Sequence, residues 1–112
     1  MPFEFGDVVL VPFPFTDQSG SKKRPAAVIS DRAANAALPD VIVMAITSQL
    51  RPDRRAHEVW LQNWQSAGLL KPSAVKPVVL TVERTLVLKK IGALKDDDRD
   101  RLQKLIGMLL GK

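Results

Sequence analysis

Apolar residues in this chain fall mostly in short β-branched runs of strand length, and only the C-terminal segment repeats them at helical spacing. The first run covers residues 7–11, between Gly6 and a pair of prolines. Because no helix-length repeat alternates with the runs, a parallel βαβ fold is not indicated. The further runs with strand character cover residues 24–30, 41–47, 57–61 and 73–82, and residues 85–88 either extend the last run or form a short partner.

The C-terminal segment predicts an amphipathic helix. An acid run, residues 96–98, stands where a helix has its positive end, and Gly111 can close the other end. A metal site is the alternative explanation of the acid run, although adjacent carboxylates on a first turn point in different directions. The apolar residues at helical spacing are Leu102, Leu105, Ile106, Leu109 and Leu110.

These elements predict a mainly β fold, a small curled antiparallel sheet or barrel of five or six strands with a C-terminal α-helix. A chain of 112 residues has room for one core, so residues 1–112 are expected to form a single domain. Turn-forming residues make 13–23 an exposed loop, and loops of this length are often functional. The Ala-rich connection 31–39 has room for one helical turn.

The chain carries a formal charge of +5 and no cysteine. This net charge is typical of a protein that binds phosphates or an acidic partner, although a solvated basic surface without a ligand would have the same net charge. The missing cysteine excludes a disulfide framework and a thiolate metal site, and is compatible with the cytoplasm. The basic residues concentrate in two predicted loops, which suggests one basic face: Lys22, Lys23 and Arg24 in the first, and Arg51, Arg54 and Arg55 in the second.

No membrane partner is expected from the sequence. The N-terminal segment has no basic region ahead of its apolar residues and is broken by Pro, Glu and Asp, so it does not read as a signal peptide. No apolar run approaches the ~20 residues that a helix needs to span a bilayer.

Two residues of complementary chemistry meet if the second and third strands pair antiparallel. A symmetric register sets Ser30 beside Val41 and Arg24 beside Thr47. A guanidinium beside a hydroxyl can bind a phosphate and stabilise the charge that develops on it during phosphoryl transfer. A loop-edge surface charge and an ordinary strand threonine are the alternative interpretation.

Several segments, in chain order, resemble the MazF/PemK family of toxins. The quoted segments are Gly6-Asp7-Val8-Val9-Leu10-Val11-Pro12-Phe13, Lys23-Arg24-Pro25-Ala26-Ala27-Val28-Ile29-Ser30, Ile46-Thr47-Ser48-Gln49, Leu69-Leu70-Lys71-Pro72-Ser73-Ala74-Val75-Lys76 and Ile91-Gly92-Ala93-Leu94. Together with the final helix, they cover essentially the whole chain.

The resemblance implies an SH3-like barrel with a C-terminal helix, assembled as a homodimer whose groove binds single-stranded RNA. It implies a toxin that cleaves RNA sequence-specifically in the cytoplasm without metal or other cofactor. It further implies that a cognate antitoxin protein inhibits the toxin, and that the toxin associates with DNA only through this antitoxin. By motif, Arg24 matches the arginine that acts on the scissile phosphate and assists proton transfer, and Thr47 matches the hydroxyl residue beside it. The implied reaction is attack of the ribose 2′-hydroxyl on the adjacent phosphate, which gives a cyclic phosphate and a 5′-hydroxyl end.

The resemblance and the basic loops together suggest a set of substrate-binding residues. Some family members carry an acidic residue five positions before the arginine; here that position is Ser19, with Asp17 nearby. The complete predicted set is Asp17, Ser19, Lys22, Lys23, Ser48, Gln49, Arg51, Arg54, Arg55 and Lys76.

Several other side chains allow two interpretations. His57 is the only histidine and lies near Arg54 and Arg55, so it is either a general acid or a surface residue. Trp60 and Trp64 either stack on bases or pack in a core or dimer interface. The same choice, base platform or core anchor, applies to residues 13 and 15, both phenylalanines.

Two other functions fit the same resemblance. Toxins with this barrel also bind and inhibit DNA gyrase without cutting nucleic acid, and a degenerate member would bind RNA without cleaving it. Fold does not decide among them. The discriminating feature is the pair Arg24 and Thr47, which an inhibitor of gyrase does not need.

Overall fold

A curled antiparallel sheet organises the protein, with strand order β4-β5-β3-β2-β1-β6. The computed structural model describes residues 2–13 and 22–112, so the predictions for Asp17, Ser19 and Phe15 lie outside the described residues. The strands of this sheet are β1 (Asp7–Phe13), β2 (Lys22–Val28), β3 (Asp40–Thr47), β4 (Val59–Trp60), β5 (Ala74–Glu83) and β6 (Lys89–Ala93). The helices are α1 (Arg32–Ala37) and α2 (Asp96–Leu109), with 3₁₀ turns at Pro52–His57 and Arg84–Leu86.

The predicted mainly β fold with a C-terminal helix is confirmed, and so are the strands predicted at 41–47 and 73–82. In the described part of the chain, no helix is long and apolar enough to cross a bilayer.

The predicted loop 13–23 is wrong at both of its described ends. Phe13 is a buried strand residue that pairs with Lys22, and Pro12 pairs with Lys23. β6 pairs with β1 only as far as Leu10. On that edge no partner strand in the described part of the chain requires an N–H from Pro12, so a proline is tolerated there.

Two strand predictions in the second half of the chain are also corrected. His57 ends a 3₁₀ helix, and the strand predicted over 57–61 shrinks to Val59–Trp60. The segment 85–88 is not a strand, because the chain turns through Arg84–Leu86 to reach the far edge of β1. The edge strand that follows, β6, begins at Lys89 and was missed.

Both faces of the sheet are buried, and this explains why the strands read as nearly continuous apolar runs rather than strict alternation. One face packs against α2 and the segment 61–69, and the other is closed by the N-terminal segment and the end of β5. The first core includes Val8, Ala27, Met44, Ile46, Val75, Leu102 and Leu105; the second includes Val9, Val11, Phe13, Val28, Val41, Val43 and Val82.

The predicted apolar face of α2 is correct only for its first turns. Leu102 and Leu105 are buried and Ile106 packs partly against them, whereas Leu109 and Leu110 are exposed. The helix therefore uses only part of its apolar stripe for its own core.

The expected helix stop at Gly111 is confirmed. Gly111 has φ of 78°, its N–H donates to the Met108 carbonyl at 3.2 Å, and the Lys112 N–H donates to the Gly107 carbonyl at 2.8 Å. This pattern closes the helix with a Schellman motif.

The acid run at the start of α2 has a structural role that the sequence shows only in part. Asp98 is fully buried and accepts hydrogen bonds from the Gln62 N–H at 3.1 Å and the Asn63 N–H at 3.0 Å. Its carboxylate also pairs with Arg101 on the next turn. The metal alternative gains no support, because Asp98 turns inward to these donors while the Asp96 side chain is exposed.

Asn35 forms a second buried polar junction. Its side-chain amide donates to the Phe3 and Ser30 carbonyl oxygens at 2.8 and 3.0 Å. The Arg84 guanidinium donates to its backbone carbonyl at 2.9 Å. These bonds tie the N-terminal segment, α1 and the end of β5 together.

Two glycines let the segment after β4 approach β6. A Cβ at Gly68 would lie 2.0 Å from the Ile91 carbonyl oxygen, and one at Gly92 would lie 2.2 Å from the Ala67 carbonyl oxygen. Gly68 also has φ of +88°. Only the absence of a side chain permits this contact.

Replacing Asp98 by Ala should lower the free energy of unfolding by about 3–5 kcal/mol, because two backbone amides and a guanidinium lose their buried acceptor. Urea denaturation measures the change. Asp97→Ala is the matched control, since Asp97 is an exposed neighbour on the same turn. Equal effects of the two substitutions would show that Asp98 acts only through the helix dipole.

Replacing Gly68 by Ala should destabilise the fold by about 3 kcal/mol or more, because the positive φ and the overlap with a backbone carbonyl both carry a cost. Gly107→Ala is the control: a Cβ there meets nothing within 4 Å, and alanine favours the helix. Thermal unfolding of the two variants should therefore shift in opposite directions. A Gly68→Ala protein as stable as the parent would contradict the close contact.

Candidate functional site

A surface cavity of about 410 Å³ lies where β2, β3 and β5 end beside one another. Four strands, β1, β2, β3 and β5, and the turn after β3 supply its walls, so the site forms only when the sheet forms. The lining residues are Phe13, Arg24, Ala45, Ile46, Thr47, Ser48, Gln49, Lys76 and Val78.

The register that brings Arg24 and Thr47 together is the one predicted from the sequence. Ala26 pairs with Ala45 and Val28 with Val43. The ladder ends at Ala26 and Ala45; extended by two residues, the same register would place Arg24 opposite Thr47, and both residues line the cavity.

Arg24 carries an unpaired donor into the site. Its Nε atom is buried and has no hydrogen-bond partner in the described part of the chain. Buried polar atoms are nearly always paired in folded proteins. Because Arg24 also lines the cavity, its guanidinium can bind an oxyanion, which can take two parallel hydrogen bonds from such a group.

Thr47 organises the turn that follows β3. Its Oγ1 accepts a hydrogen bond from the Gln49 N–H at 3.1 Å. This bond occupies one lone pair of the hydroxyl and leaves its hydrogen able to donate to a ligand. It also presents Ser48 and Gln49, both exposed, at the rim of the cavity.

The site is electrically positive. Arg24 and Lys76 both line it, and no carboxylate stands among the lining residues that the structure describes. An anion that enters the cavity meets two cations and the Thr47 hydroxyl.

The two predicted basic clusters do not line the cavity together. The cavity takes Arg24 from the first cluster, while Lys22 and Lys23 are exposed along β2. Arg51 lies 3.6 Å from Asp53 in an exposed ion pair. Arg54 and Arg55 belong to the 3₁₀ helix and lie outside this cavity.

His57 is exposed at the end of the same 3₁₀ helix and does not line the cavity. The general-acid interpretation of His57 therefore gains no support. Phe13 is buried in the second core, which supports its interpretation as a core anchor, and it also borders the cavity.

A second concavity of about 460 Å³ shares Arg24, Ile46 and Ser48 with the first and was not anticipated. Its walls are largely apolar, and Leu70 is 94% exposed beside it. In the sequence, only the consecutive leucines before Lys71 indicate this surface, and neither leucine by itself indicates an interaction site. The other lining residues are Leu10, Pro25, Gly68, Leu69, Lys71, Ser73, Lys89 and Ile91.

Comparison with known proteins gives one family match and a set of similar folds. A family model described as the PemK-like, MazF-like toxin of type II toxin-antitoxin systems matches residues 4–110. A search of curated protein sequences gives no match.

Three solved structures illustrate the similarity of fold. The chain is similar to a chain of a MazE-MazF crystal structure from Deinococcus radiodurans, with 21% identity, a TM-score of 0.77, and coverage of 99% of this chain and 98% of that one. It is also similar to the Mycobacterium tuberculosis toxin MazF-mt6, with 23% identity, a TM-score of 0.72, and coverage of 91% and 95%. An endoribonuclease in complex with its cognate antitoxin from a mycobacterial species has 14% identity, a TM-score of 0.74, and coverage of 98% and 94%.

Replacing Thr47 by Val should free the Gln49 amide and accelerate its hydrogen exchange, with a loss of about 1 kcal/mol in the free energy of unfolding. Thr47→Ser keeps the hydroxyl and is the matched control. Amide exchange followed by NMR distinguishes the variants. An unchanged Gln49 amide in the valine variant would show that the turn does not depend on this bond.

Proposed function

Because the chain belongs to the PemK-like, MazF-like toxins of type II toxin-antitoxin systems, we propose that it is a sequence-specific endoribonuclease that cleaves single-stranded RNA. The observation that carries the proposal is the unpaired Nε of Arg24 in a positive cavity, with the Thr47 hydroxyl on the neighbouring strand. A toxin that acted only by binding protein would have no need of an oxyanion site.

The proposed reaction is a transfer of the phosphodiester within the RNA. The ribose 2′-oxygen forms a bond to phosphorus, the bond from phosphorus to the 5′-oxygen breaks, and the proton lost by the 2′-hydroxyl is balanced by the proton gained by the leaving oxygen. The products are a cyclic phosphate and a 5′-hydroxyl end. The nucleophile is part of the substrate, and a guanidinium supplies the positive charge, so the step as proposed needs no metal.

Arg24 and Thr47 have distinct roles in this reaction. The Arg24 guanidinium binds the non-bridging oxygens and stabilises the charge that grows on them in the transition state. The Thr47 hydroxyl donates to the phosphate and holds it in place between the strands. Lys76, which lines the same cavity, adds a second positive charge.

The remaining substrate contacts follow the path of the RNA. Ser48 and Gln49 stand at the rim of the cavity, where their side chains can reach the edges of unpaired bases. The exposed basic residues Lys22, Lys23, Arg51 and Arg54 attract the phosphate backbone, and Arg55, which stacks on Trp60, completes the basic part of the binding set. Asp17 and Ser19, in the segment that joins β1 to β2, complete the proposed binding set.

We propose a cognate antitoxin as the protein partner, and a homodimer as the working assembly, in the cytoplasm where the RNA substrate is. The similar structures include a MazE-MazF complex and an endoribonuclease bound to its antitoxin. The second concavity supports inhibition by a bound segment, because it is apolar, carries Lys71 and Lys89, and shares Arg24 with the first. An acidic, apolar segment seated there would reach the arginine that the reaction needs.

Incubation of the purified protein with a long single-stranded RNA in EDTA, followed by mapping of the 5′ ends, tests the proposal. We expect discrete cuts in RNA and none in a DNA copy, because DNA has no 2′-hydroxyl. Arg24→Ala should lower the rate roughly a hundredfold or more, the usual loss when a group that stabilises an oxyanion is removed.

Lys104→Ala is the matched control, because it removes one positive charge from the exposed surface of α2 far along the chain from the site. Intact RNA in every sample would contradict the proposal. If Arg24→Ala then remained toxic in cells, inhibition of DNA gyrase by binding would become the better explanation.

A further inference from the structure

A third cleft, of about 290 Å³, lies at the open edge of β4 and has no part in the proposed reaction. The 3₁₀ helix before β4, the strand itself and α2 all contribute to it. Its lining residues are Arg55, Glu58, Trp60, Leu61, Gln62 and Arg101.

The cleft contains an ordered stacking surface. The Arg55 guanidinium carbon lies 4.7 Å from the centre of the Trp60 ring, within the range of a cation–π contact. The Trp60 indole N–H donates to Glu58 Oε1 at 3.2 Å, which fixes the plane of the ring. The ring and the guanidinium therefore form a platform of the kind on which unpaired bases stack.

Arg101 brings an unpaired donor to the same cleft. Its Nη2 atom donates to the Trp60 carbonyl at 2.8 Å and also pairs with Asp98. Its Nε atom is buried and, within the described ranges, has no hydrogen-bond partner. Arg24 and Arg101 are the two arginines with this feature in that part of the chain.

The charges around the cleft favour a neutral ligand over an anionic one. Arg55 and Arg101 are balanced by Glu58 in the lining and by Asp98 behind Arg101. A phosphate or an acidic peptide would meet a carboxylate as well as the cations. A flat, uncharged ring with hydrogen-bonding edges can use the platform, the Glu58 carboxylate and the Arg101 guanidinium at once.

The sheet places this cleft in line with the proposed site of cleavage. Ala74 on β5 pairs with Thr47 on one side and with Trp60 on the other, so the three side chains leave the same face of the sheet. Two strand spacings separate Thr47 from Trp60, a distance on the order of 10 Å. A short stretch of single-stranded RNA can bridge this distance.

We propose that the cleft binds one unpaired nucleobase of the RNA, next to the phosphate that is cleaved, and thereby contributes to sequence specificity. The inference rests on the proposed function and extends it. The base stacks on the Arg55–Trp60 platform, its exocyclic amino group donates to Glu58, and the adjacent ring acceptor receives a hydrogen bond from the Arg101 guanidinium, which lines the cleft. Cytosine has this donor beside an acceptor, whereas uracil presents a carbonyl oxygen where cytosine has its amino group.

Tryptophan fluorescence tests the binding directly, because the chain has two tryptophans. The Trp64→Phe protein reports on Trp60 alone, and the Trp60→Phe protein reports on Trp64, whose ring packs against the first core. Each is titrated in EDTA with 2′-O-methyl oligocytidylate and oligouridylate, in which the capped 2′-oxygen prevents cleavage.

We expect oligocytidylate to quench Trp60 and leave Trp64 unchanged, with weaker binding of oligouridylate. Glu58→Gln should reduce the preference for cytosine, because an amide can donate to the uracil carbonyl. Trp60→Ala should weaken the binding of oligocytidylate roughly five- to hundredfold, the range seen when one base-stacking aromatic is removed. Unchanged Trp60 emission, equal quenching of both tryptophans, or a cytosine preference that survives Glu58→Gln would each overturn the inference.

Cleavage mapping separates this inference from the function on which it rests. If the protein cuts RNA through Arg24, but Trp60→Ala changes neither oligonucleotide affinity nor the bases at the cut sites, the base site is wrong and the ribonuclease stands. If oligocytidylate quenches Trp60 while long RNA stays intact, the base site stands and the proposed reaction is wrong.

Discussion

The antiparallel register of β2 on β3 positions nearly everything else in the protein. The paired residues 26–28 of β2 and 43–45 of β3 are buried on both faces and divide between the two cores, so a shift by one position would exchange the two sets of side chains. Extended two residues beyond the last pair, Ala26 and Ala45, the same register places Arg24 opposite Thr47, and both residues line one cavity. The packing of valines and alanines in the middle of the sheet therefore determines the geometry of two polar residues at its edge.

The edge strand β4 depends on a different set of contacts. It pairs over only two residues, Val59 and Trp60, and a strand of this length has little stability of its own. The segment that follows it is held by the buried Asp98 carboxylate and by the close approach of Gly68 to β6. The start of α2 is thus both a helix N-terminus and the anchor for the cleft beside Trp60.

The two unpaired arginine donors stand in unlike electrostatic surroundings. Arg24 shares its cavity with Lys76 and meets no carboxylate among the described lining residues, so that the cavity suits an anion. Arg101 is balanced by Asp98 and lies near Glu58, which makes its cleft suited to a neutral polar ring. A strand of RNA offers both kinds of group at short spacing, phosphates along its backbone and bases to the side.

The sequence by itself determined the fold class, the central strands, the C-terminal helix with its stop at Gly111, and the register of β2 on β3. These features follow from local periodicity and from the length of the connection between two strands, both of which can be read along the chain. The tertiary structure alone decided the extension of β1 and β2 through Phe13 and Lys22, the short β4, and the existence of β6. Each of these segments has a weak intrinsic preference for the strand conformation and becomes a strand only because a partner strand supplies backbone hydrogen bonds.

Burial of polar groups was likewise decided by the tertiary structure. In the sequence, Asp98 is one of three adjacent aspartates and Arg101 one of many basic residues, and nothing local distinguishes them. Only the docking of α2 against the segment after β4 turns Asp98 inward and carries Arg101 to the edge of Trp60. A contact between residues so far apart in the chain has no signature in the sequence periodicity, because it arises when two secondary-structure elements pack against each other.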